Sequence, residues 1–413
     1  MARIAPIIKK EQDKLNESEL DYVNGLALTY PTTPKGEIPS YLGLSSDGWT
    51  SYYVGATWLK EKHRPLVVLP KFDKLDFVRI FADAVNSGVE PQYFSEAYSI
   101  NFDAPQINAE TLNSVLSPLM VSHFLSVVRI LIKHGLKRNY IVIEDNLKCK
   151  VKGHILLRKN LQKNIINGHA ERTLCRYQEY SLDYPENQII KRALLAAMSM
   201  QYSIARKNNE LLKIIHTALH EFEEVSSNIT PSEVKSIRRD KLHGEYPLAI
   251  HLAKQILRRT DFSISEQTSN VHSVPEFAID MSRIFEFHVL GLLRSRQKEV
   301  LFQENAGIMG RCDYLIPSEQ LIIDAKYKAN YPNKGYDVLR EDIREVSGYG
   351  RSTCILKKIG IEDGQQPTCI IIYPNGEYKS DEQLQEKEIK KQATPLNGVD
   401  NFYTLGVAMP AIE

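Results

Sequence analysis

Cysteine is scarce in this chain: five in 413 residues, at Cys149, Cys175, Cys312, Cys354 and Cys369, widely spaced and never in a CxxC pair. An odd, scattered set excludes a disulfide framework or a zinc site as the organising feature and points to a reducing compartment. Net charge is nearly absent as well, with 52 Lys and Arg against 51 Asp and Glu. That balance excludes a chain that coats nucleic acid, a histone-like tail or an acidic disordered protein. The sequence has no GxxxxGK[ST] loop, HExxH pair or GxSxG elbow. A bound nucleoside triphosphate, a zincin centre and a serine-hydrolase triad therefore lack their usual scaffolds. Long apolar runs are missing too. The N-terminus lacks the apolar core of a signal peptide, and the most apolar stretch, 115–132, contains Pro118, His123 and Arg129. It reads as a buried helix, not a membrane span, and the expected location is the cytoplasm.

What is present is enough chain for two or three domains, with 43% apolar residues to form their cores. The first hundred residues mix Pro and Gly with short β-type runs such as 51–55 and 65–70, which predicts a small strand-rich domain. A helix is expected over 112–134, ending at Gly135. A hairpin over 140–153 follows, with Glu144-Asp-Asn146 at its turn. Pro185 opens a helix that carries Ile189, Ile190, Ala193, Leu194 and Ala197 on one face, and a second helical pattern covers 248–259. Residues 260–274 are polar and unpatterned and read as a linker. Beyond it, Asp280 caps a helix over 281–294, strands fall at 311–316, 321–328 and 368–373, and a helix lies near 338–350. The order describes a mixed α/β multidomain chain: strand-rich over 1–110, helical over 111–265, and a compact α/β domain over 266–413.

The chemistry concentrates between Gly310 and Lys328. Strand alternation puts Asp324, Lys326 and Lys328 on one face and Ile323, Ala325 and Tyr327 on the other. Pro317-Ser-Glu-Gln320 is a turn-like spacer; if Ile316 pairs with Leu321, Asp313 faces Asp324, their Cβ atoms about 4.5–5.5 Å apart. Two carboxylates so placed repel unless a cation sits between them, and Mg²⁺, with Mn²⁺ as a substitute, is the natural one. Lys326 would then orient or deprotonate a water, or neutralise a phosphate. The bland alternative is an exposed face with an ordinary ion pair. Glu286 lies on the apolar face of its helix with Val289, Leu290 and Leu293, so its charge needs a metal or a basic partner such as Arg283.

These residues resemble the PD-(D/E)xK nuclease core, and the surrounding words resemble McrC, the nuclease subunit family of the McrBC modified-cytosine restriction system. Ile284-Phe-Glu-Phe-His-Val289 is similar to the family's LFEEFV-like helix, and Asp324-Ala-Lys-Tyr-Lys328 to its DAKYK strand. Tyr53-Val-Gly55, Leu69-Pro-Lys71, His134-Gly-Leu-Lys-Arg-Asn-Tyr140, Lys152-Gly-His-Ile155 and Asp183-Tyr-Pro-Glu-Asn187 resemble further family words, in the family's order. Departures are Cys312 for the proline of "PD", His154 for an arginine, and Glu345 for the glutamine four residues before Tyr349. The resemblance implies that residues 266–413 form a PD-(D/E)xK nuclease domain. It makes Asp313 and Asp324 metal ligands, Lys326 the catalytic lysine, Glu286 a further acidic ligand or orienter, and Glu345 and Tyr349 supporting residues. It further implies that the N-terminal part engages an McrB-like AAA+ GTPase, which recognises DNA, expected to be modified. The chain itself would bind no nucleotide and no membrane.

The expectation is a Mg²⁺-dependent DNA endonuclease subunit. A non-cleaving scaffold that stimulates the AAA+ partner, or a stand-alone nuclease, are the alternatives. The overall balance of charge hides one basic stretch: residues 133–176 hold 11 basic against 3 acidic side chains. Lys148, Lys150 and Lys152 within it are candidate contacts to DNA phosphates or to an acidic partner surface, unless the stretch is only a solvated face.

Overall fold

The computed structural model describes the chain apart from residues 1–4, 31–37, 61–63, 110–111, 204–209, 235–242, 268–272, 298, 329–330, 332–335, 363–364, 379–388 and 413. It is a mixed α/β protein that divides into two compact units. One joins residues 1–126 and 208–211 with 265–413; the other holds 127–207 and 212–264. The N-terminal and C-terminal segments, separate domains in the sequence reading, thus fall in one unit.

The reason lies in one strand. The first unit contains a five-stranded sheet in the order Ile7–Lys10, Pro65–Leu69, Tyr53–Trp58, Glu276–Asp280, Tyr98–Asn101. Glu276–Asp280 comes from far along the sequence and pairs antiparallel with Tyr53–Trp58, placing Phe277 opposite Ala56 and Ala278 opposite Gly55. Gly55 is required there, because a Cβ on it would lie 2.1 Å from the Phe277 carbonyl oxygen. Helices Glu17–Gly25, Phe77–Asn86 and Pro91–Ala97 accompany the strands, so the first hundred residues are less strand-dominated than expected. Phe77–Asn86 buries seven of its ten residues, a helical period that Pro and Gly punctuation on either side obscured.

The second sheet of this unit runs Leu301–Asn305, Arg311–Ile316, Leu321–Ala325, Thr368–Tyr378, Phe402–Pro410, Thr394–Pro395. Its first two pairings are antiparallel and its central ones parallel. Helix Tyr336–Tyr349 bridges the parallel pair, and Val346 and Tyr349 pack on Cys312, Leu315, Ile322 and Ile371. Helix Met281–Arg296 follows directly from Glu276–Asp280, with Asp280 as its N-cap accepting from the amides of Ser282 and Arg283. It therefore ties the two sheets of the unit together.

The second unit contains a three-stranded sheet, Asn139–Lys148, Arg172–Ser181 and His154–Ile155, with helix Pro185–Ser203. The expected hairpin at 140–153 is not formed. Asn139–Lys148 is one straight strand through Glu144-Asp-Asn146, paired with Arg172–Ser181. Cross-strand partners overrule the turn chemistry. Glu144 binds Lys159 and Arg176, and Asn146 exchanges amide hydrogen bonds of 3.0 and 2.8 Å with Asn164. The strand ends at Lys148, Cys149 follows with φ 52°, and the next strand, His154–Ile155, pairs antiparallel with the other edge of Arg172–Ser181. Nor is 260–274 a linker: helix Tyr246–Gln267 continues through its first half, Ser273–Val274 is strand, and 268–272 lies outside the described residues. Ile189, Ile190, Ala193, Leu194 and Ala197 are all fully buried, as the periodicity of their helix requires. The apolar helix Asn113–His134 crosses the unit boundary in sequence, and Val121, Phe124, Val127 and Val128 on it are wholly buried.

Candidate active site

The antiparallel pair Arg311–Ile316 and Leu321–Ala325 has Ile316 opposite Leu321 and Tyr314 opposite Ile323. That is the expected register, and extending it by one step brings Asp313 opposite Asp324. Asp313 Oδ2 accepts a 2.8 Å hydrogen bond from the Ala325 amide. Lys326 follows the end of its strand, where its amide donates to the Ile372 carbonyl and its Nζ lies 2.9 Å from Asp324 Oδ2. The same Nζ is 2.7 Å from Glu345 Oε2, and Tyr349 donates to the other oxygen of Glu345. One turn earlier on that helix, Asp342 holds Lys328 at 2.8 Å. So a sheet end and one helix gather five of the six expected site residues.

Glu286 completes the set from helix Met281–Arg296. It is buried, and its Oε2 accepts from Arg283 at 2.9 Å and from Gln303 at 2.9 Å. Gln303 Nε2 also donates to Asp313 Oδ1 at 3.0 Å, so one amide spans two carboxylates. Tyr314 donates to the Glu286 backbone carbonyl, fixing the helix against the Asp313 strand. Arg283, the basic partner named from the sequence, thus compensates the buried Glu286 carboxylate.

The electrostatics follow from burial. Glu286 is pushed up to about 7 because burial outweighs the pull of Arg283. Asp313 is likewise pushed up to about 7, by burial first and by the charge of Glu286 second. Burial and Asp313 drive Asp324 well above the carboxylate range. Lys326 loses solvation too, but Asp324 and Glu345 more than offset that and hold it above the ordinary lysine value. Three carboxylates are thus crowded where only cations or shared protons make them tolerable. Among the described residues, no group of three or more His, Cys, Asp or Glu side chains stands ready to hold a metal ion. Asp324 Oδ2 is buried without a hydrogen bond, although Lys326 stands beside it as an ion-pair partner.

The family model described as the McrBC 5-methylcytosine restriction system component matches residues 50–356. The chain belongs to this McrBC family. Glu286, Asp313, Asp324, Lys326, Glu345 and Tyr349 all lie inside the matched span. Among solved structures, this McrBC-family chain is similar to a chain of the refined half-complex from a tetradecameric assembly of Thermococcus gammatolerans McrB AAA+ hexamers with bound McrC. The identity is 13%, the coverage 99% of this chain and 95% of the other, and the TM-score 0.39. A chain of the cryo-EM structure of the T. gammatolerans McrBC complex is similar at 12% identity, covering 71% of this chain and 88% of that one, with a TM-score of 0.32. No curated protein sequence matches the chain.

Sequence reasoning missed two groups around the site of this McrBC member. Gln303 lies on Leu301–Asn305, a strand whose five residues show no alternation to announce it. The second group braces Tyr327, whose hydroxyl donates to Glu11 Oε1 at 3.2 Å while Lys71 Nζ stands 3.4 Å from the ring centroid. Lys71 was visible as part of a family word, and Glu11 lies before the matched span. Lys148, Lys150 and Lys152 belong to the other compact unit, where all three are exposed.

Proposed function

We propose that the chain is the nuclease subunit of an McrBC-type restriction complex. It would hydrolyse DNA phosphodiester bonds with Mg²⁺ when assembled in the cytoplasm with an AAA+ GTPase of the McrB kind. The observation that carries this is the Ile316–Leu321 register, whose extension sets Asp313 opposite Asp324, with Lys326 Nζ 2.9 Å from Asp324 Oδ2. The arrangement supports reading the site as a PD-(D/E)xK nuclease centre. Mg²⁺ is commonly held by one or two carboxylates and completes its shell with water. Two facing aspartates, Asp324 with its Oδ2 buried and met by the Lys326 ammonium at 2.9 Å, fit that demand. Glu286 accepts from Arg283 and Gln303 through its Oε2, and we assign it the orienting role.

Asp313 and Asp324 would hold the cation, which when bound supplies Lewis acidity and an activated water. The Lys326 ammonium, steadied by Asp324 and Glu345, neutralises charge on the scissile phosphate and orients the attacking water. Glu286 keeps Asp313 in place through Gln303. The family description supports modified DNA as substrate, with an AAA+ partner of the McrB kind as the source of recognition and energy. That division of labour agrees with the missing nucleotide loop.

The test is cleavage of 5-methylcytosine DNA by the complex with Asp324→Ala or Lys326→Ala. Cleavage should vanish in both while the complex still assembles; cutting by both variants would overturn the assignment. A second reading, a scaffold that does not cut, draws on Glu345, which replaces the family's glutamine and engages Lys326. Metal-dependent nicking of plasmid by the wild-type complex would exclude it.

A further inference from the structure

The Gln303 amide does something that no strand residue at this place needs to do for the fold. Its strand, Leu301–Asn305, pairs with Arg311–Ile316 through Phe302 opposite Tyr314 and Glu304 opposite Cys312. Gln303 falls between these pairs, across from Asp313, and takes a left-handed backbone with φ 54°. A side chain with a Cβ rarely adopts that conformation, least of all inside a strand. It is also a polar group with only 8% of its surface exposed. Both costs have one visible return. From that backbone its Nε2 places one N–H on Glu286 Oε2 at 2.9 Å and the other on Asp313 Oδ1 at 3.0 Å.

We propose that Gln303 is a positioning residue for the cation site, a neutral bridge that holds Asp313 in its binding orientation by tying it to Glu286. An amide suits this task because it donates twice and carries no charge. A lysine would cancel the negative charge the cation needs, and a carboxylate would add a fourth acid to the cluster. Arg283 secures Glu286 from the other side, so the chain Arg283, Glu286, Gln303, Asp313 runs from the helix to the ligand without a gap. Such outer partners of ligating groups govern affinity by fixing orientation. The inference rests on the nuclease reading of the site.

The experiment compares Gln303→Gly and Gln303→Asn with wild type for Mn²⁺ affinity of the purified full chain, thermal midpoint, and kcat and KM of the assembled complex. Glycine relieves the left-handed backbone, and asparagine tolerates it but is one methylene too short to bridge. Both variants should lose about 10- to 100-fold in Mn²⁺ affinity and in kcat, with KM for DNA unchanged. The glycine variant should keep or raise the thermal midpoint, which a merely structural residue would not do. Wild-type affinity and kcat in either variant would overturn the role. Asp324→Ala serves as the control: if it too keeps Mn²⁺ binding and cleavage, the site reading has failed, not the role of Gln303.

Discussion

At the scale of single residues, the cost of burying charge explains most of what surrounds the site. Glu11 is the simplest case. It is 3% exposed; its Oε1 accepts from Tyr327 and from the Lys71 amide, while Oε2 makes no hydrogen bond. Burial pushes its pKa from 4.5 up to about 7, against the pull of Lys71. A carboxyl raised in the folded state binds more protons there than in the unfolded chain between those two values. Its stabilising contribution is therefore complete below about pH 4.5 and is lost as pH rises through about 7. Glu11→Gln, which mimics the protonated form, should be near wild type in stability at pH 5. At pH 8 it should be more stable by up to about 3 kcal/mol. Urea unfolding at the two pH values measures this, and equal stabilities at pH 8 would show that Glu11 is ionised without penalty. The sequence does not disclose Glu11, because a carboxylate 316 residues from its tyrosine partner carries no local signal. Asp313, Asp324 and Lys326 were legible for the opposite reason. They sit within fourteen residues of chain, and a period of two and a short turn suffice to bring them together.

Elements were read best where periodicity acts alone and worst where partners intervene. Helix Pro185–Ser203 follows its apolar face, and the pairing of Ile316 with Leu321 follows its turn. The Glu144 strand does not follow its turn-like residues, because Arg176, Lys159 and Asn164 satisfy them across the sheet. Strand Glu276–Asp280 is another case, since its identity depends on Tyr53–Trp58 more than two hundred residues earlier. Some family words prove to be backbone requirements. Gly55 admits the Phe277 carbonyl, and a Cβ at Gly153 would meet the Arg176 carbonyl at 2.6 Å. This makes Gly55→Ala a test of how the Glu286 helix is anchored. The added methyl cannot fit unless Glu276–Asp280 shifts, and that strand leads directly into the helix. Destabilisation of about 3 kcal/mol is expected, at the upper end of overpacking costs. Cleavage by the complex should fall with it, as the helix carrying Arg283 and Glu286 is displaced. A variant with wild-type urea midpoint and wild-type cleavage would show that the strand junction is not what fixes Glu286.

For the whole molecule, near-neutrality is a sum of unlike parts. The stretch 133–176, with its excess of basic residues, lies in the unit of residues 127–207 and 212–264, whereas the candidate site lies wholly in the other. Within that stretch Lys148 ends a strand, Lys150 is exposed, and Lys152 reaches over the Tyr177 ring at 4.1 Å with Glu179 3.9 Å away. Tyr140, Val142 and Tyr180 of the same sheet are also exposed. A solvated face has no use for aromatic and aliphatic side chains beside its lysines, and their presence favours a contact surface. Reversing Lys148, Lys150 and Lys152 to Glu together shifts the charge of that unit by six. If the surface meets DNA phosphates, binding should weaken and its dependence on salt should become shallower. If it meets an acidic face of the AAA+ partner, assembly should fail at wild-type protein concentrations. Unchanged DNA binding together with unchanged assembly would reduce the lysines to solvation alone. The basic excess would then serve only to offset the acidic remainder of the chain.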